Sequence, residues 1–221
     1  MRKLLQGIIN FRKFSLTDYR DKFSRLATQH APDALLVACC DSRVVPNVFA
    51  SSDPGDLFVL RNIGNLIPKY KEEYLDDASV GSAIEFSLTT LNVSDIIICG
   101  HSDCGAMQSL LEKDNKAVSL PPSLNKWLMT NAISSYNRFK NSQFNNESSL
   151  TPCNCLSRIN VLQQLDNLKT YPLVIKRLIN NKLKIHGWWF DLATADVYYY
   201  NASYGKFIVI NEEQIKNILQ A

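Results

Sequence analysis

The chain has 221 residues, 46% of them hydrophobic and 10% aromatic, enough to bury one large core without requiring a second domain. Lys and Arg number 24 against 21 Asp and Glu, giving a net charge of +3 with the signs interspersed, so no basic arm speaks for nucleic acid. No window reaches the roughly 18 uninterrupted apolar residues of a membrane span, and the N-terminal apolar stretch, cut by Gln6, Gly7 and Asn10, lacks the cleavage site of a secretory signal.

Residues 2 to 29 carry two helical patterns, and Ser15 with Asp18 three residues on reads as a helix N-cap. ALLVACC (34–40), entered after Pro32, and DLFVLRN (56–62), entered after Pro54-Gly55, read as buried strands. Residues 77 to 91 have helical spacing with Asp76 and Asp77 at the start, followed by a third buried strand, DIIICG (95–100), and a helix from His101 to Glu112.

One helix is expected from Trp127 to Phe139, a polar loop over 141–154, a helix from Cys155 to Leu168 and another from Pro172 to Asn180. KIHGWWFDLA, DVYYYNA and KFIVI alternate and are rich in aromatics, which predicts three paired strands before a terminal helix at 212–219. Alternation of strand and helix makes the fold class α/β, and the whole of 1–221 reads as one domain with a helical arm at 1–30. Nothing matches a glycine-rich nucleotide loop, and no 20- to 50-residue period repeats.

Six cysteines (39, 40, 99, 104, 153 and 155) in so large a core-forming chain point to metal binding or reactivity in a cytoplasmic setting rather than to disulfides. His101 and Cys104 are three apart just past one strand, and Cys39 ends another, so parallel neighbours would bring all three to one sheet edge, where α/β proteins bind ligands. Three such ligands suit Zn²⁺ with a fourth position left for water, as catalytic zinc requires. Cys39, Asp41 and Arg43 are spaced by two, so in an extended backbone they share a side. Arg43 can then hold the Asp41 carboxylate bidentately, and Asp41 can accept a hydrogen bond from zinc-bound hydroxide. Two thiolates would acidify the water less than three histidines do, which predicts activity rising with alkaline pH.

CCDSRV (39–44), FVLRNIGN (58–65), GHSDCGAM (100–107) and IHGWW (185–189) resemble the signature segments of beta-class carbonic anhydrases. VLQQLDNLKTYP (161–172) resembles their bacterial and cyanobacterial members, and only the 141–154 loop has no clear counterpart. The resemblance implies one zinc ion on Cys39, His101 and Cys104, an Asp41–Arg43 catalytic dyad, and reversible hydration of carbon dioxide to bicarbonate. It further implies that Val44 and Phe86 line a small apolar substrate pocket and that the Gly105 amide faces the substrate. A mainly parallel sheet of four or five strands flanked by helices is implied, in a homodimer or homotetramer built through the N-terminal helices and sheet edges. Some members carry an inhibitory bicarbonate site of Trp, Arg and Tyr; Leu36, Arg61 and Phe190 stand at those positions, so the site is expected to be missing.

Other polar residues have simpler readings. Cys40 and Cys99 read as small buried hydrophobes, His186 as a packed, hydrogen-bonded strand residue, and His30 as solvated. Arg61 and Asn62 either hold loops around the site or cap the sheet. Cys153 and Cys155 read as exposed loop thiols, and Tyr198, Tyr199 and Tyr200 as sheet packing rather than a base-stacking surface. Two competing functions use the same residues: a hydrolase of carbon disulfide or carbonyl sulfide, and a zinc-binding or thiol-redox module without catalysis.

Overall fold

A computed structural model describes residues 1–71, 78–113, 119–142 and 150–220. Two helices, α1 (Arg2–Phe14) and α2 (Leu16–Leu26), lead into β1 (Ala34–Cys39), the short α3 (Pro46–Phe49) and β2 (Leu57–Asn62). Then come α4 (Ala78–Thr89), β3 (Asp95–His101), α5 (Gly105–Leu111), α6 (Pro122–Asn131) and α7 (Ile133–Asn141). The chain continues through α8 (Pro152–Leu168), α9 (Pro172–Ile179), β4 (Lys184–Phe190), β5 (Val197–Asn201), β6 (Lys206–Val209) and α10 (Glu212–Gln220). Asp76 and Asp77, expected at a helix start, and positions 143–149 of the polar loop lie outside the described residues.

The sheet has the order β2-β1-β3-β4-β5-β6, with the first four strands parallel and the last two added antiparallel. Six strands exceed the four or five expected because the aromatic strands extend the same sheet. Both faces of its centre are covered, which is why β1 and β3 read as unbroken apolar runs. Leu35, Val37, Ile96 and Ile98 face one core cluster, while Leu36, Ala38, Ile97 and Cys99 face another. Each large apolar side chain so buried is worth about 1.5–3 kcal/mol.

β1 sends the chain to β2 on one side and has β3 on the other, so the strand order reverses around it. That reversal opens a crevice beyond the carboxyl ends of β1 and β3, where open α/β sheets place their ligands. Cys39 is the last residue of β1, opposite Asn62, and His101 is the last residue of β3.

Some local expectations change. His101 belongs to β3 rather than to a helix, and Cys104 is the N-cap of α5, because a Ser102-Asp103 turn intervenes. The segment read as one helix from 127 to 139 is two, α6 and α7, broken at Ala132. The helix expected from 155 starts earlier, at Pro152, with the Thr151 side chain accepting from the Asn154 amide as its cap. Ser15 does stand at the N-cap of α2, although its side chain makes no cap bond.

Candidate metal centre

The end of β1, the end of β3 and the N-terminus of α5 converge. The ligand atoms of Cys39, His101 and Cys104 all lie within 4.8 Å of one another, and all three residues are buried. The His101 ring donates from Nδ1 to the Ser102 carbonyl at 2.8 Å, since a carbonyl can only accept. Its lone pair therefore sits on Nε2, which is buried and has no hydrogen-bond partner. A buried, unpartnered acceptor within 4.8 Å of two sulfurs is what a metal would satisfy, and two Cys with one His form a known donor set for zinc with an open fourth position.

The two thiols titrate as a pair, each shifting the other. Hydrogen bonding from Cys104 pulls the Cys39 thiol down to about 4 despite its burial, helped by the amides of Gly64 and Asp41. Cys104 is pushed well above the ordinary thiol range by donating that hydrogen bond and by burial, with the α5 amides of Met107 and Ala106 opposing. The first turn of α5 thus offers its free amides to Cys104 once it ionises.

Gly64 places its amide 3.4 Å from the Cys39 sulfur. It holds φ at +81°, a conformation that favours glycine, and a Cβ there would also crowd the Ala106 Cβ at 3.1 Å. The preceding peptide is held at its other end by Trp127, whose Nε1 donates to Ile63 O at 2.8 Å.

Beyond Cys39 the backbone is not extended as expected; it turns, with Val44 N donating to Asp41 O at 3.0 Å. The turn still brings Asp41 and Arg43 together. Asp41 Oδ1 accepts from Arg43 N and Nε, each at 3.0 Å, and Oδ2 accepts from Nη2 at 2.7 Å. These side-chain bonds from Arg43 hold the Asp41 carboxyl well below the usual carboxylate range, against the penalty of its partial burial. Arg43 Nη2 also reaches Asp103 O at 3.2 Å, linking this turn to the one between His101 and Cys104.

Arg61 organises the turn from the neighbouring strand. Its Nε and Nη2 donate to Cys39 O at 3.0 and 2.8 Å, and Nη2 also faces Asp41 O at 2.7 Å and Val44 O at 2.8 Å. Of the two readings open for Arg61, holding a loop is the one its contacts fit. Asn62 braces the next loop, exchanging hydrogen bonds at 2.8 Å with the Leu66 carbonyl and amide.

Of the residues assigned to a substrate pocket, Val44 is fully buried next to the turn, and Gly105 opens α5 with no heavy atom within 4 Å of where a Cβ would stand. Phe86 is not brought to the centre: it is 44% exposed, and its ring lies 5.9 Å from Phe58, opposite Leu35 and four positions before Cys39. A cavity of about 590 Å³ adjoins the Ser102-Asp103 turn, lined by residues that include Asp103, Gln108 and Cys153.

Four thiols lie outside the centre. Cys99 is buried as expected and burial pushes it up to about 12, whereas Cys40 is exposed. Cys153 and Cys155 are buried, not exposed, because α8 reaches back to include them; burial pushes the Cys153 thiol up to about 11, and its sulfur lies 3.5 Å from Cys104 O. His186 is paired through Nε2 with Asp95 at 2.7 Å, and His30 is exposed. The tyrosines pack as expected: Tyr198 meets the Trp189 ring edge-on at 5.6 Å, and Tyr200 packs on Phe207 at 5.4 Å.

A family model described as carbonic anhydrase matches residues 34–197. A carbonic anhydrase of Pseudomonas aeruginosa is 34% identical over 212 residues, covering 96% of this chain and 93% of the relative. One from Synechococcus elongatus is 36% identical, covering 89% of this chain and 70% of the relative. Among solved structures, the beta-carbonic anhydrase CcaA superposes with a TM-score of 0.85 at 34% identity, covering 96% of this chain and 92% of that one. A tetrameric beta-carbonic anhydrase of Sordaria macrospora shares the fold, with a TM-score of 0.77 at 23% identity over 91% of this chain and 96% of that one.

Proposed function

Because the chain belongs to the beta-carbonic anhydrase family, we propose that it interconverts carbon dioxide and bicarbonate with Zn²⁺ held by Cys39, His101 and Cys104. The observation that carries this reading is the convergence of two thiols on a buried, unpartnered imidazole nitrogen. When bound, Zn²⁺ supplies a Lewis acid that makes water nucleophilic at mild pH.

The chain's own residues do the rest. Cys39 and Cys104 bring two negative charges to the ligand set, which raises the pH at which activity appears relative to a three-histidine site. Asp41, kept ionised and aimed by Arg43, accepts a hydrogen bond from the attacking water and so turns its lone pair toward carbon dioxide. Val44 supplies apolar wall against which the substrate rests, and the Gly105 amide donates to a substrate oxygen. Phe86 can join this pocket only if a second copy contributes it, since within one chain it packs against Phe58.

A second copy also suits the N-terminal arm. No residue of α1 is buried, and Leu4, Leu5, Ile8, Ile9 and Phe14 are each at least 45% exposed. A homodimer or homotetramer would cover them; a chain lacking residues 1–30 that kept the full-length oligomeric mass in light scattering would rule the arm out. Six thiols free of disulfides fit a reducing cytoplasm, and no described helix is long and apolar enough to cross a membrane.

The test is Asp41→Asn, assayed for zinc content and for carbon dioxide hydration. Retained zinc with turnover reduced by at least about 10-fold is expected for a group that orients the nucleophile. Undiminished turnover would remove Asp41 from the mechanism, and a zinc-loaded wild type inert from neutral to alkaline pH would remove the reaction itself.

A further inference from the structure

Helix α8 carries polar side chains at 154, 157 and 160, each three residues after the last; Ser157 and Asn160 are buried and Asn154, near the helix start, is half-buried. Each reaches a backbone segment that bears or touches one of the three proposed ligands. Asn154 Oδ1 accepts from Asp103 N at 2.8 Å, in the turn between His101 and Cys104. Ser157 Oγ donates to His101 O at 2.7 Å and accepts from Trp189 Nε1 at 3.1 Å, which fixes the direction of its hydroxyl. Asn160 Nδ2 donates to Gly64 O at 3.0 Å, and Gly64 is the residue whose amide faces the Cys39 sulfur.

The amide of Asn160 is itself fixed, because its Oδ1 accepts from Ser135 Oγ at 2.8 Å and Gln164 Nε2 at 2.9 Å. Asn160 is 1% exposed and Ser157 2%. Buried polar groups held this fully cost much to rearrange, so they transmit position rather than absorb it. The helix also lies at a set depth. A Cβ at Gly100 would stand 2.7 Å from Val161 Cγ2, and one at Gly187 would stand 3.0 Å from Val161 Cγ1, so two strand glycines let α8 sink to where Ser157 reaches His101 O.

We propose that α8 is the frame of the metal centre, with Asn154, Ser157 and Asn160 as positioning residues that set the ligand backbone and, through Gly64, the hydrogen bond to the Cys39 thiolate. This rests on the reading of Cys39, His101 and Cys104 as metal ligands. Partners behind the ligands typically change metal affinity about 10- to 100-fold when removed, and a hydrogen bond to a thiolate alters its electron donation to the metal.

Asn167 supplies the control: it lies on the same helix, is 3% exposed and donates to the carbonyl of Ile67, which holds no ligand, at 2.8 Å; its other donated bond, to Gln164 Oε1 at 3.1 Å, is to the opposite end of the amide whose Nε2 holds Asn160, which Asn167→Ala leaves in place. The experiment compares Ser157→Ala, Asn160→Ala and Asn167→Ala in the full-length chain. It reads zinc affinity by chelator competition, the thiolate-to-cobalt charge-transfer band of the Co²⁺-substituted protein, and Tm. Ser157→Ala and Asn160→Ala are expected to lose about 10- to 100-fold in zinc affinity, with Asn160→Ala also shifting the charge-transfer band. Asn167→Ala should lower Tm while keeping wild-type affinity and spectrum. Affinity that simply follows Tm across all three, or a band unmoved in Asn160→Ala, would overturn the proposal. Should Asn160→Ala fail to fold, Ser157→Ala against Asn167→Ala decides alone. A wild type that binds no Co²⁺ would instead defeat the ligand assignment on which the proposal rests.

Discussion

The Arg43 guanidinium meets the Asp41 carboxylate edge to edge, Nε to Oδ1 at 3.0 Å and Nη2 to Oδ2 at 2.7 Å. The pair depresses the Asp41 pKa, so its stabilising contribution is present above the unfolded value of about 3.9 and is lost only as pH falls below that value toward the folded one. Loss of activity near neutrality therefore cannot come from protonating Asp41. In Arg43→Ala, a ¹³C carboxyl titration should show Asp41 moving up toward about 3.9, with hydration reduced about 10- to 100-fold and zinc retained. An unmoved carboxyl titration would show that Arg43 is not its partner in solution.

Arg61 spans three carbonyls of the turn that carries Cys39 and Asp41. A lysine keeps the charge but has no planar fork to bridge them. Arg61→Lys is expected to lower kcat, because the turn that carries Asp41 loosens, and to raise KM as well, because Val44 O loses the same donor. Wild-type kcat in that variant would mean that Arg61 only caps the sheet.

Zinc uptake should release about one proton at neutral pH. The Cys39 thiol is pulled down and the Cys104 thiol pushed up by one another, so the pair is expected to hold one proton between its two sulfurs, and that proton is the one the metal displaces. Calorimetry in buffers of different ionisation enthalpy counts it; release of two protons would show that both thiols are protonated before the metal arrives.

Inhibition by bicarbonate should be simple and non-cooperative. Leu36 is fully buried, Phe190 stacks on Phe49 at 4.7 Å, and Arg61 is committed to backbone carbonyls, so these three positions present no free anion-binding group. Sigmoidal, pH-dependent inhibition curves would contradict this.

Much of the candidate centre was legible in the sequence because Cys and His are chemically rare: Cys39 and His101 end apolar runs whose strand identity is unmistakable, and Cys104 follows His101 by three residues. Asp41 and Arg43 were paired for the wrong local reason, since a turn rather than an extended strand unites them. Asn154, Ser157 and Asn160 were not found. On a helix buried on most sides, a polar stripe facing inward has the same periodicity as one facing water. The buried state of Cys153 was hidden because the start of α8 depends on the Thr151 cap, within a stretch whose composition reads as loop. Phe86 is a pocket residue by resemblance alone, and within a single chain it sits on α4 against Phe58 of β2.

The central claim is tested most directly by stopped-flow carbon dioxide hydration measured against zinc content, in wild type and Cys104→Ala. Turnover that rises with pH, scales with bound zinc and vanishes with the metal in Cys104→Ala is the predicted result; zinc-loaded wild-type protein without hydration activity, or activity unaffected by loss of Cys104, would contradict it.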